Sequence, residues 1–154
     1  MTINEDQREI ILERVFNAPR SLVYRAYTEP ELIAQWWSGD HGATVVEKSD
    51  VRPGGAWRYV QHAPDGSQYG FQGEYREIVP HEKLEYTFEF DGMPGHVLVE
   101  TVRFIEQAPN QTLVTSTSVY ETLEDLHGML QTGMEEGSAS GYNRLDALLV
   151  ELQQ

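Results

Sequence analysis

The sequence predicts an α+β fold in which one curved antiparallel sheet wraps a long C-terminal helix, and three observations carry that reading. Pro-containing turn words divide the middle of the chain into pieces of strand length. A helical pattern of about 30 residues closes it. Two short helical stretches separate the first strand from the rest.

The turn words are Arg52-Pro53-Gly54-Gly55, Ala63-Pro64-Asp65-Gly66, Val79-Pro80-His81, Asp91-Gly92-Met93-Pro94-Gly95 and Ala108-Pro109-Asn110. Between them lie six expected strands, at about 43–51, 55–62, 68–79, 83–91, 96–107 and 111–120. Connections this short join antiparallel neighbours, so the six form a meander. The clearest alternation sets Leu84, Tyr86, Phe88 and Phe90 against Glu85, Thr87 and Glu89, one face apolar and the other wet. With a further strand at about 8–16, the sheet has seven.

The helical insertion follows that first strand. Pro19 suits a first helical turn, and Leu22, Val23, Ala26 and Tyr27 form an apolar stripe. Thr28-Glu29-Pro30-Glu31 reads as a capping box with Thr28 as cap, followed by Leu32, Ile33, Trp36 and Trp37 at helical spacing.

From about Thr122 the last helix carries Leu123, Leu130, Met134, Gly137, Ser138, Gly141, Leu145, Leu148, Leu149 and Leu152 on one side. Unbroken, it would run about 45 Å at 1.5 Å per residue. Gly128, Gly133, Gly137 and Gly141 are costly there, about 1 kcal/mol each against alanine. Three explanations stand side by side. The small residues let the helix lie close on the sheet, or they leave space beneath it walled by Leu130 and Met134, or Gly128 and Gly133 mark a break with the regular helix starting near Met134.

Composition bounds the function. At 154 residues the chain fits a single domain, 1–154, with one core. Eleven Lys and Arg stand against 25 Asp and Glu, and a net charge of −14 repels nucleic acid and anionic lipid. No apolar run reaches the roughly 20 residues of a membrane span. Met1 to Glu9 is polar and acidic, unlike a secretory leader, and cysteine is absent, so a cytoplasmic location is expected.

Catalytic motifs are missing. The five histidines, His41, His62, His81, His96 and His127, lack metal-ligand spacing, so neither a metal nor another cofactor is expected. His127 alone projects to the inner side of the last helix and reads as a satisfied core histidine. Adjacent acidic pairs such as Glu135-Glu136 diverge on a helix. Arg14, Arg58, Glu74, Arg76 and Arg103 lie on strands, and whether any of them points inward is left open; an inward charge must be paired.

The aromatics are the other unusual feature. A strongly curved sheet closing on one helix cannot fill its interior evenly, so large side chains come to line a cavity. The candidate lining is Trp36, Trp37, Trp57, Tyr59, Phe71, Tyr75, Phe88 and Phe90, about half of them in contact, with Leu130, Met134 and Ser138 from the last helix.

The order strand, two helices, six strands, helix (β-α-α-β6-α) resembles the helix-grip fold of START-related and pollen-allergen-like proteins, the SRPBCC superfamily. Within it, several words resemble the activator of heat-shock protein 90 ATPase homologue family. They are Arg14-Val15-Phe16-Asn17-Ala18-Pro19 leading to Trp36-Trp37, Arg52-Pro53-Gly54-Gly55-Ala56-Trp57-Arg58, Gly73-Glu74-Tyr75-Arg76-Glu77-Ile78-Val79-Pro80 and Gly141-Tyr142-Asn143-Arg144-Leu145-Asp146. The resemblance implies the fold and an internal cavity, and not one reaction. It ranks three expectations. First is binding of a small apolar or amphipathic molecule. Next comes a cyclase- or hydrolase-type enzyme of the superfamily, which requires at least two polar side chains converging in the cavity. Last is a cochaperone-like, stress-response contact with a chaperone ATPase. A homodimer is left open.

Overall fold

The structure is a computed structural model describing residues 1–154. The elements run β1 (Thr2–Asn4), β2 (Glu9–Phe16), α1 (Arg20–Thr28), α2 (Pro30–Trp36), β3 (Ala43–Ser49), β4 (Ala56–His62), β5 (Gln68–Val79), β6 (Lys83–Phe90), β7 (Val97–Ala108), β8 (Gln111–Val119), α3 (Leu123–Leu130) and α4 (Met134–Leu152). All strands join one antiparallel sheet in the order β1-β2-β8-β7-β6-β5-β4-β3. The six-stranded meander is therefore present, with β2 closing beside β8. The eighth strand, β1, is three exposed residues folded back on β2, from Thr2 opposite Ile11 to Asn4 opposite Glu9. A stretch that short and polar carries no alternation to read.

Bulges between Val46 and Lys48, Tyr75 and Glu77, and Glu106 and Ala108 bend the sheet around the helices. Period-two alternation decides what the concave face presents. Strand β7 turns Leu98, Val102 and Phe104 inward as buried residues, and β8 does the same with Thr112, Val114, Ser116 and Ser118.

Local chemistry explains two departures from expectation in the helices. Thr28 is not a cap but the last residue of α1, and its hydroxyl donates to the Tyr24 carbonyl at 3.0 Å. Pro30 occupies the first turn of α2 and disfavours helical backbone at the residue before it, so Glu29 takes φ −87° and ψ 122° and becomes the boundary. At the other end the helical region is two helices. Gly133 adopts φ +79°, a conformation with little cost only for glycine, and α4 starts at Met134. Of the three explanations for the glycines, the break is correct at Gly133. Thr122 caps α3 by accepting from the Asp125 amide at 3.0 Å. With 19 residues, α4 spans about 28 Å.

The break also re-aims α3. Leu126 is fully buried while Leu123 is exposed. His127 lies on the surface, 2.6 Å from a Glu5 carboxylate oxygen, and is not a core histidine.

The main core gathers Phe16, Val23, Ile33, Phe104, Val114, Leu145 and Leu149 between sheet, α1, α2 and the second half of α4. A smaller cluster of Ile10, Leu98, Tyr120 and Leu126 seals the end under α3. Between the two lies the hollow described next.

Candidate functional site

The sheet, α2 and the first half of α4 enclose a pocket of about 320 Å³ lined by 27 residues, 18 of them hydrophobic. That is the small end of the roughly 300–1,000 Å³ typical of small-molecule sites. Nine of the sequence candidates line it: Trp36, Trp37, Trp57, Tyr59, Phe71, Tyr75, Phe88, Met134 and Ser138. Two do not. Phe90 sits at the end of β6, stacked on Phe71 with centroids 5.2 Å apart, and Leu130 packs against the small cluster under α3.

The aromatic wall is rigid because its members hold one another. Trp37 meets Tyr59 at 5.2 Å and Phe71 at 5.1 Å, both edge to face. Trp57 touches Tyr59, Tyr86 and Phe88 at centroid distances of 4.8, 5.7 and 5.7 Å. The indole N–H groups of Trp36 and Trp57 are committed to backbone, donating to the carbonyls of Ala26 (2.9 Å) and Thr87 (3.1 Å). These two rings therefore offer the hollow only apolar surface.

Small residues on α4 keep the space open, each differently. A side chain at Gly137 would meet nothing nearer than His41 Nε2 at 4.0 Å, so its absence leaves room at the rim. At Gly141 an added Cβ would lie 3.6 Å from the Trp36 carbonyl oxygen, an ordinary contact; the close approach is made instead by Gly39, just after α2, where a Cβ would lie 2.8 Å from the Gly141 backbone nitrogen. Vacant space is therefore present at Gly137, and the close approach of α4 rests on Gly39.

One charge enters the hollow. Glu100 on β7 alternates with Leu98 and Val102 on the inward face and lines the pocket, the one Asp, Glu, Lys or Arg side chain to do so. It accepts from the Tyr86 hydroxyl at 2.7 Å and the Ser116 hydroxyl at 2.5 Å. Ser118, Tyr27, Tyr120 and Tyr142 complete a hydroxyl-bearing lane across the apolar wall. Burial pushes the phenols of Tyr27, Tyr86, Tyr120 and Tyr142 above their ordinary range, and the nearby Glu100 charge pushes them further in the same direction. For Tyr27, the neighbouring Tyr142 adds more than Glu100 does.

The strand charges left open by sequence are now placed. Arg14 lies on the inner face of β2, but its guanidinium runs along α4, 2.9 Å from Asn143 Oδ1 and 3.5 Å from Asp146. Arg58 pairs with Glu47 and Asp91 at the surface, and Glu74, Arg76 and Arg103 are exposed. Sequence reasoning weighed those five and missed Glu100, although Leu98-x-Glu100-x-Val102-x-Phe104 carries the alternation that points it inward. No group of three or more His, Asp or Glu side chains is placed to hold a metal ion.

A bent sheet gripping a helix over an aromatic hollow defines the helix-grip class. Residues 17–150 match the family described as Activator of Hsp90 ATPase homolog 1-like protein, and the chain belongs to that family. Solved structures similar to it include a crystal structure from Mycobacterium smegmatis (25% identity, TM-score 0.87, covering 96% of this chain and 94% of that one). A solution structure from Staphylococcus epidermidis is 31% identical with a TM-score of 0.80, covering 98% of this chain and 94% of that one. A crystal structure from Chromobacterium violaceum is 28% identical with a TM-score of 0.79, covering 92% and 96%. No curated protein matches the sequence. No helix is long and apolar enough to cross a membrane.

Proposed function

We propose that this protein binds a small, largely apolar molecule in the hollow between the sheet and the first half of α4. The observation that carries the reading is the pocket itself: about 320 Å³ left unfilled and lined two to one by hydrophobic residues. Interiors are normally packed to the density of organic crystals, and leaving apolar groups without partners forfeits contact energy that a ligand restores. The site residues are Trp36, Trp37, Trp57, Tyr59, Phe71, Tyr75, Phe88, Met134 and Ser138, with Glu100, Tyr86 and Ser116 as the polar end.

The convergence of Glu100, Tyr86 and Ser116 supports a second reading, acid–base catalysis on the bound molecule, with Glu100 as the base. Conversion of the ligand during incubation, followed by mass spectrometry, separates an enzyme from a carrier. The family relationship alone favours the third reading, a chaperone contact.

All three tryptophans line the hollow, so energy transfer from them to an uncharged apolar fluorophore such as N-phenyl-1-naphthylamine reports occupancy. The expected result is saturable one-to-one binding that weakens at least ~10-fold in Gly137→Leu, whose side chain fills the rim; ~10-fold corresponds to about 1.4 kcal/mol. Leucine is the better helix former, so the variant should lose no stability. Absence of saturable binding, or equal binding by the variant, refutes the reading.

A further inference from the structure

We propose that the ligand is a cation: Glu100 anchors the ammonium head of an aryl- or alkylamine whose body lies against Trp36, Trp57 and Phe88. This rests on the binding function proposed above and names the ligand class for the same hollow.

Glu100 is the sole formal charge lining the pocket, and it enters none of the protein's ion pairs. Arg14, the cation on the inner face of β2, lies two strands away beyond β8 and is committed to Asn143 and Asp146. A carboxylate offers about four lone-pair sites, and the hydroxyls of Tyr86 and Ser116 occupy two of them. A carboxylate withdrawn from bulk water and bonded only by hydroxyls, without a positive partner, is costly to the fold, and structural carboxylates so placed are normally paired. Here the missing partner faces the cavity.

Three further features select the sign of the ligand. Aromatic faces attract a cation through their quadrupole, and aromatic side chains make up much of the lining that Glu100 shares. The net charge of −14 draws cations toward the molecule and repels anions. A fatty-acid carboxylate would bring a like charge into the same low-dielectric space, so anionic lipids are disfavoured although the hollow is apolar.

Three probes on one frame make the test: 4-phenylbutylamine, 4-phenylbutan-1-ol and 4-phenylbutanoate, titrated calorimetrically into the intact protein at pH 7. The amine should bind at least ~10-fold tighter than the alcohol, a gap of about 1.4 kcal/mol, with the acid weakest. In Glu100→Gln the amine and alcohol should converge to within about threefold (~0.65 kcal/mol), while the alcohol keeps its affinity and so confirms that the variant is folded. An alcohol that binds wild type as tightly as the amine overturns the cation assignment and leaves the binding function standing. So does an amine preference that persists in Glu100→Gln. If none of the three binds while N-phenyl-1-naphthylamine still does, the cation assignment alone falls; if the fluorophore fails as well, both fall. The wild-type comparison decides the matter even where the variant does not fold.

Discussion

The two halves of α4 lie on the same sheet and do opposite things. From Leu145 to Leu149 the inner side of the helix is sealed: Leu145, Leu148 and Leu149 are at most 5% exposed and pack into the core with Phe16 and Val23, whereas Leu152, expected on the same side, is exposed. Gln153 fastens the end by donating to the Asn17 carbonyl at 3.0 Å. From Met134 to Gly141 the same helix presents glycine, serine and an unbranched thioether to an unfilled space. Arg14, bonded to Asn143 and Asp146, marks the boundary. The difference teaches how a small domain keeps a hollow. Stability is concentrated in one half, so that the other can forgo packing.

The largest effect that tests this division is alkaline. Burial raises the phenols of Tyr24, Tyr27, Tyr59, Tyr75, Tyr86, Tyr120 and Tyr142, and all but Tyr24 line the hollow. A folded pKa above the unfolded value of about 10 gives stability that is complete below pH 10 and lost as pH rises toward the folded values. Urea denaturation should therefore show constant phenol-dependent stability up to about pH 9. Above 10 a steep fall should follow, each buried phenol contributing up to about 1.4 kcal/mol per pH unit. Phenolate absorbance should rise together with unfolding. If these phenols instead titrate near pH 10 with the fold intact, bulk water fills the hollow and the contrast between the halves is lost.

Substitutions come next in size. Leu149→Ala should cost about 2–5 kcal/mol, the range for buried leucines in close-packed sites. Met134→Ala, on the wall of the hollow, should cost less than about 1 kcal/mol. Similar losses at both positions in chemical denaturation would mean that α4 is packed evenly along its length.

Much of this was legible in advance because it rests on period and punctuation. The seven longer strands fall within about two residues of the positions that the turn words and alternation predict. The aromatic lining was legible for the same reason, since Trp57 and Tyr59 flank Arg58 while Tyr75 and Phe88 each sit between polar neighbours. What escaped was decided by interactions that no periodicity records. Thr28 has a capping sequence, but Pro30 sets the boundary. The break at Gly133 stood among three explanations for the small residues, and periodicity could not choose between them; the backbone at φ +79° does. Phe90 obeys the alternation and lies beyond the rim, since a strand's inward parity says nothing of where the hollow ends. Glu100 was hidden by its own chemistry: a charge on a strand is ordinarily assigned to the wet face, and here it keeps step with Leu98 and Val102.

Xenon offers the most direct measurement, because it enters dry apolar cavities and avoids both packed cores and polar sites. Crystals pressurised with the gas should show xenon among Trp36, Trp57, Phe88 and Met134, and none beneath Leu145 and Leu149. Xenon absent from the first position, or equally present at the second, would contradict the claim that one helix both seals the core and roofs an unfilled site.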